Sequence, residues 1–245
     1  MKLPTNKLIS ASITAFSFLA LLALNCCKDI VFNNPLDPDA SVETVKIIKV
    51  TSTTLSGKGD ICCDGEKFWK TSQYGSLDAF DMESGIIIRS VPAEGGSGVT
   101  IFEDSLYLCG GENIIYSLDP LSGEILNRIS TADLYPGFLT AGDNPGLLIA
   151  YDLRSSGFFE YDPQSGAAAL LFQVPGLDIG GIEIYKGGLL VTDLNSESIY
   201  YFAKTGSIIN VFRSPAGAAA GITVDHRDYV YLLTLDGKLY TITLP

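Results

Sequence analysis

The chain has 245 residues, of which 47% are hydrophobic and 18% charged, enough for one sizeable core and too apolar for a disordered chain. Its net charge of −12 excludes a broad basic surface, so nucleic acid is not an expected partner.

At the N-terminus, Lys2 and Lys7 form a basic start, and Leu8 to Leu24 is an uncharged, largely apolar run that ends at Asn25-Cys26. Residues 1–25 read as an export signal. An uncleaved anchor helix is the other use of such a run, although about seventeen residues is the short limit for crossing a bilayer. Removal of the segment takes away two lysines and no acid, so the net charge passes from −12 to −14. The stretch Leu22-Ala23-Leu24-Asn25-Cys26 resembles a bacterial lipobox, with Asn25 where the common pattern has Gly, Ala or Ser. That resemblance implies that Cys26 carries acyl chains and begins the mature protein. The chain would then be held at a membrane of the cell envelope, at the outer membrane or cell surface, on either its external or its periplasmic side.

Residues 26–43 follow as the lipidated Cys and a tether: Asn34-Pro35 and Asp37-Pro38 break any apolar periodicity. The remaining body, residues 44–245, is expected to be a single all-β domain. Cys27, Cys62, Cys63 and Cys109 stand in an oxidising compartment, where disulfides are permitted. Adjacent strand residues point to opposite faces, so Cys62 and Cys63 read as small strand residues rather than a vicinal disulfide.

From about residue 55 the chain repeats itself. FDMESGIII, LDPLSGEIL, YDPQSGAAA and FAKTGSII share a turn whose glycines, Gly85, Gly123, Gly166 and Gly206, lie 38, 43 and 40 residues apart. Asp or Pro, then Ser or Thr, then Gly before a new strand is a hairpin signature. Upstream lie strands that open on Gly, as in GVTIF (98–102), GIEIY (181–185) and GITVD (221–225), and then second strands such as FWKT, LYLC, LLVTD and YVYLL. IIIRSV, EILNRI, AALLFQV and SIINVF supply a fourth strand, but the fifth repeat ends at Pro245 after three. The surplus run at 44–50, TVKIIKV, can complete it. The expected fold is therefore a β-propeller of five four-stranded blades, closed by the N-terminal strand 44–50.

Repeat four, Ile179 to Phe212, carries the Gly-apolar strand, the Gly turn, the apolar-apolar-x-x-Asp and the aromatic-x-x-x-Gly of NHL, SMP-30 and YWTD propellers, which it resembles. Repeat two, with IIYSLDPLSGEIL, is similar to the quinoprotein type. The resemblance implies a ligand mouth formed by the loops between second and third strands and those between blades.

Tyr74, Tyr135 and Arg154 fall in or near that mouth as binding anchors. Asp152 and Asp193 share one repeat position and, with Asp178 and Glu183, could line an acidic mouth for a divalent cation. Their recurrence fits the other use of such an Asp, satisfying the backbone of the following turn. The carboxylate set of SMP-30-like lactonases does not map onto the chain. His226, the sole histidine, lies in the polar turn VDHRD, and there is no P-loop or Cys-x-x-Cys pair. No catalytic residue and no cofactor are expected. The leading expectation is a membrane-tethered, non-catalytic binding module for a protein, peptide or glycan; the alternative is a metal-dependent hydrolase, lactonase or lyase using Asp152, Asp193 and Glu183.

Overall fold

A computed structural model describes residues 43–72, 75–93, 96–215 and 217–245. The signal, Cys26, Cys27 and most of the tether lie outside them. Among the described residues there are strands, turns and bends only, and no helix is long and apolar enough to cross a membrane.

The chain forms five antiparallel blades. Blade 1 is β3 (Ile61–Cys63), β4 (Lys67–Ser72), β5 (Ser76–Asp81) and β6 (Ile87–Pro92). Blade 2 is β7 (Gly98–Phe102), β8 (Ser105–Cys109), β9 (Ile114–Leu118) and β10 (Ile125–Ser130). Blade 3 is β11 (Pro136–Ala141), β12 (Leu148–Asp152), β13 (Gly157–Tyr161) and β14 (Ala168–Gln173). Blade 4 is β15 (Ile179–Tyr185), β16 (Gly188–Asp193), β17 (Ser198–Ala203) and β18 (Ile208–Arg213). Blade 5 takes β19 (Ala219–Val224), β20 (Val230–Thr234) and β21 (Lys238–Thr243) from the C-terminus, and its outer strand β2 (Lys46–Ser52) from the N-terminus.

The expected closure is therefore present, with β2 antiparallel to β21 from Lys46 opposite Thr243 to Ser52 opposite Lys238. The strand begins two residues later than the apolar run, because Glu43 and Thr44 form β1, which pairs parallel with β18 at the outer edge of blade 4. Both faces of a blade are covered by neighbours, so strands such as β12, LIAYD, and β20, VYLLT, are buried along their whole length. Five apolar clusters result, one in each seam between blades; the seam of blades 5 and 1 joins Phe68 and Phe80 to Tyr231 and Leu233. The outer strands face water.

The repeated turn has a common chemistry. Asp81 accepts from the Glu83 and Ser84 N–H groups and from the Ser84 hydroxyl, and Asp119 and Asp162 repeat the arrangement with Ser122 and Ser165. Those bonds, led by Ser84 at Asp81, hold the three carboxyls below their usual range. The following glycine has positive φ, 74° at Gly123, where a side chain would also strike Val91 at 2.6 Å.

The glycines that open the inner strands do different work. At one level of the ring axis the repeat places Asp60, Gly98, Phe138, Gly181 and Gly221. A Cβ at Gly181 would lie 2.3 Å from Asp60 Oδ1 and 2.8 Å from the Ile222 nitrogen, and one at Gly221 would lie 2.9 Å from the Ile61 nitrogen. Missing side chains at Gly98, Gly181 and Gly221 let neighbouring inner strands close in on one another at this level.

Candidate functional site

Above that closure, at the end of the ring where the inner strands begin, the loops enclose a cavity of about 370 Å³. Its lining combines apolar Phe138, Tyr151, Leu153, Leu177 and Leu194 with one cation, Lys58, and one carboxylate, Asp178. The two charged groups are 4.0 Å apart, and both are well exposed. Ser97, Ile179, Gly180 and Ala220 contribute to the remaining wall. Of the described residues expected at the mouth only Asp178 lines the cavity; Lys58 comes from the connection between β2 and β3 created by ring closure.

The lining is held from behind. Lys70 is 1% exposed and donates to the carbonyls of Ser56, Lys58 and Thr71, which fixes the loop that presents Lys58. Burial lowers its pKa, partly offset by Asp78 and Asp60. Asp193 Oδ1 accepts from the Asp178 N–H, and its other oxygen accepts from the Ser196 N–H. Asp152 does the same one blade earlier, accepting from the Tyr135 N–H and from the Ser155 N–H and hydroxyl. Burial pushes the Asp152 carboxyl up, but bonds from Ser155, Tyr135 and Arg154 together hold it below its usual value. In blades 3 and 4 the recurrent Asp thus ties the loop before the inner strand to the turn after the second strand.

Other expected mouth residues fall elsewhere. Arg154 stacks its guanidinium 3.1 Å from the Tyr135 ring centroid, and neither residue lines the cavity. Tyr74 lies outside the described residues.

Glu183 corrects the expectation of an acidic mouth. It lies two residues beyond Gly181 on β15, roughly 7 Å further along the axis. Its carboxylate accepts from the Thr140 and Thr223 hydroxyls and from the Ile184 N–H. Burial raises its pKa against the lowering effect of those bonds. Asp152, Asp178, Asp193 and Glu183 are not brought together, and among the described residues no group of three His, Cys, Asp or Glu side chains could hold a metal ion.

Asp60, which sequence reasoning missed, is fully buried at the floor. Its Oδ1 accepts from the Ile61 and Ile222 N–H groups and its Oδ2 from the Ile182 N–H, so one side chain of blade 1 spans to blades 4 and 5. Burial pushes it well above the usual carboxylate value, against those three bonds, and Glu183 adds to the rise. Among the described residues Cys62, Cys63 and Cys109 are free, and burial raises Cys62 and Cys109 strongly and Cys63 to about 11, away from the reactive thiolate.

No protein-family model and no curated protein matches the sequence. Among solved structures, a glutaminyl cyclase from Myxococcus xanthus is similar at a TM-score of 0.68 and 16% identity, over 82% of this chain and 97% of that one. The likeness is one of fold. BamB from Moraxella catarrhalis is similar at a TM-score of 0.47 and 15% identity, over 78% of this chain and 60% of the other. The first of these overturns the expectation of a non-catalytic module. That structure, alike over 82% of this chain, is an enzyme, so a ring of this fold does not exclude catalysis.

Proposed function

We propose that the protein is an exported, lipid-anchored propeller of the cell envelope whose mouth takes the end of a short peptide. The observation that carries this reading is the cavity in which Lys58 and Asp178 stand side by side against apolar walls. A peptide end supplies one charge, an N-terminal ammonium for Asp178 or a C-terminal carboxylate for Lys58, beside an apolar side chain, and the volume holds roughly one or two amino-acid residues. The NHL and SMP-30 type of repeat is in keeping with a ligand at this end of the ring.

Turnover of that ligand is the second reading, favoured by the fold shared with a glutaminyl cyclase. Asp178 is the one carboxylate among the described lining residues. It is therefore the group that could take up an ammonium or a proton there.

One titration addresses both. A set of short peptides, including one with N-terminal glutamine, is added to the purified protein while heat release and free ammonia are followed. Binding is expected to weaken about tenfold in Asp178→Asn and Lys58→Ala, and to vanish in Leu194→Trp, which fills the cavity. Equal affinity in all three variants would remove the mouth from the function, and ammonia release lost in Asp178→Asn would identify catalysis. For the anchor, incorporation of a fatty-acid analogue is expected in the wild type and absent in Cys26→Ala; persistent label would move the lipid elsewhere.

A further inference from the structure

The outer wall formed by blades 5 and 1 carries an apolar patch that the mouth does not use. Six of the twelve exposed large hydrophobic side chains among the described residues lie there: Ile47, Ile48 and Val50 on β2, Ile86 just before β6, and Ile87 and Ile88 at its start, between 37 and 60% exposed. Blades 2, 3 and 4 each show one such residue on their outer strands, Leu126, Leu170 and Ile209. The two halves of the patch adjoin, because Lys49 Nζ donates to the Glu83 carbonyl at 3.0 Å and Gly85 packs against the Ser52 carbonyl.

We propose that this wall rests on the membrane, its isoleucines entering the headgroup boundary. The inference rests on the lipid anchor at Cys26. Two observations select a lipid surface over another occupant. The chain reaches this wall within two elements of its start, since β1 at the outer edge of blade 4 leads directly into β2, and only sixteen residues, 27–42, separate Cys26 from Glu43, a reach of about 60 Å at full extension. The strand KIIKVTS has exposed Lys46 and Lys49 beside its apolar residues and no acid, in a chain with net charge −12, and Arg89 follows the isoleucines of β6, while Asp81 and Glu83 of the adjoining turn lie beside Lys49. Apolar side chains flanked by lysine suit the boundary between acyl chains and anionic headgroups, whereas the acidic remainder of the surface is repelled from it. Such an orientation turns the ring on its side and leaves the mouth open parallel to the membrane.

The acylated full chain, extracted and reconstituted in vesicles of phosphatidylcholine and phosphatidylglycerol, is tested with a photoactivatable phospholipid. Crosslinks should concentrate in residues 46–52 and 86–89, and should fall about tenfold in Ile48→Glu/Ile88→Glu while acylation is retained. Label spread evenly over the outer strands overturns the proposal. So does protection of β2 that depends on protein concentration and not on lipid, since a second copy would then cover the wall. The mass of the N-terminal peptide reads the anchor separately. If it carries no acyl group the anchor fails, and the wall is judged by whether the chain still sediments with these vesicles and loses that binding in the double variant.

Discussion

Gly181→Ala should lower the melting temperature by roughly 6–12 °C, the equivalent of about 3 kcal/mol in a chain of this size. Its backbone is not left-handed, so the penalty is one of space alone. The new methyl group would meet Asp60 Oδ1 at 2.3 Å, the Ile222 nitrogen at 2.8 Å and the Gly221 Cα at 2.9 Å. Two of those obstacles are backbone, which cannot rotate away, and the third is pinned by three hydrogen bonds. Gly180→Ala should act similarly, since its methyl group would fall 2.1 Å from the Ala219 carbonyl oxygen. Gly187→Ala is the control: a Cβ there meets nothing within 4 Å, and its φ of 78° costs only the left-handed conformation, about 1 kcal/mol. Equal losses at Gly181 and Gly187, measured by thermal melts, would mean that close approach at the axis is not what this position requires.

That contrast explains how much of the molecule was legible in the sequence. The repeated turn, the strand order and the terminal closure follow from period-two apolar runs and from Asp, Ser and Gly at fixed offsets, which act locally and leave a local trace. The glycines of GVTIF, GIEIY and GITVD were visible as a pattern, but their reason is the close approach of neighbouring inner strands, which is a property of the ring. The turn-capping use of Asp152 and Asp193 was readable from their recurrence. Asp60 was hidden because it replaces the recurrent glycine in the least regular repeat. Lys58 was hidden because its loop exists only once β2 has paired with β21. Glu183 sits in a strand whose phase fixes its direction toward the axis, yet nothing in GIEIY shows that Thr140 and Thr223 will meet it there.

Asp60→Ala should destabilise the protein by about 3–6 kcal/mol, a large part of the whole stability of a domain. The inner edge of each innermost strand has no neighbouring strand, so its N–H groups need partners at the axis. Asp60 serves those of Ile61, Ile182 and Ile222, and alanine leaves all three buried and unbonded. Asp60→Asn should cost less, because the amide still accepts at one end while its NH₂ faces an N–H at the other. The two acids differ from asparagine in their response to pH. Burial raises Asp60 and Glu183 above the values they have in the unfolded chain, so as pH rises the unfolded chain releases these protons first. Between the ordinary carboxylate range and the raised folded values the folded state binds more protons, and stability falls with increasing pH. The turn aspartates, Asp81, Asp119 and Asp162, are lowered and act in the opposite sense, their contribution being lost as pH falls through their folded values. Urea unfolding of the wild type and Asp60→Asn from about pH 5 to pH 8 separates the two groups, since asparagine has no proton to lose. The wild-type advantage should be greatest at the acid end and should narrow as the pH rises; curves that stay parallel would show that Asp60 is already ionised in the folded ring throughout this range.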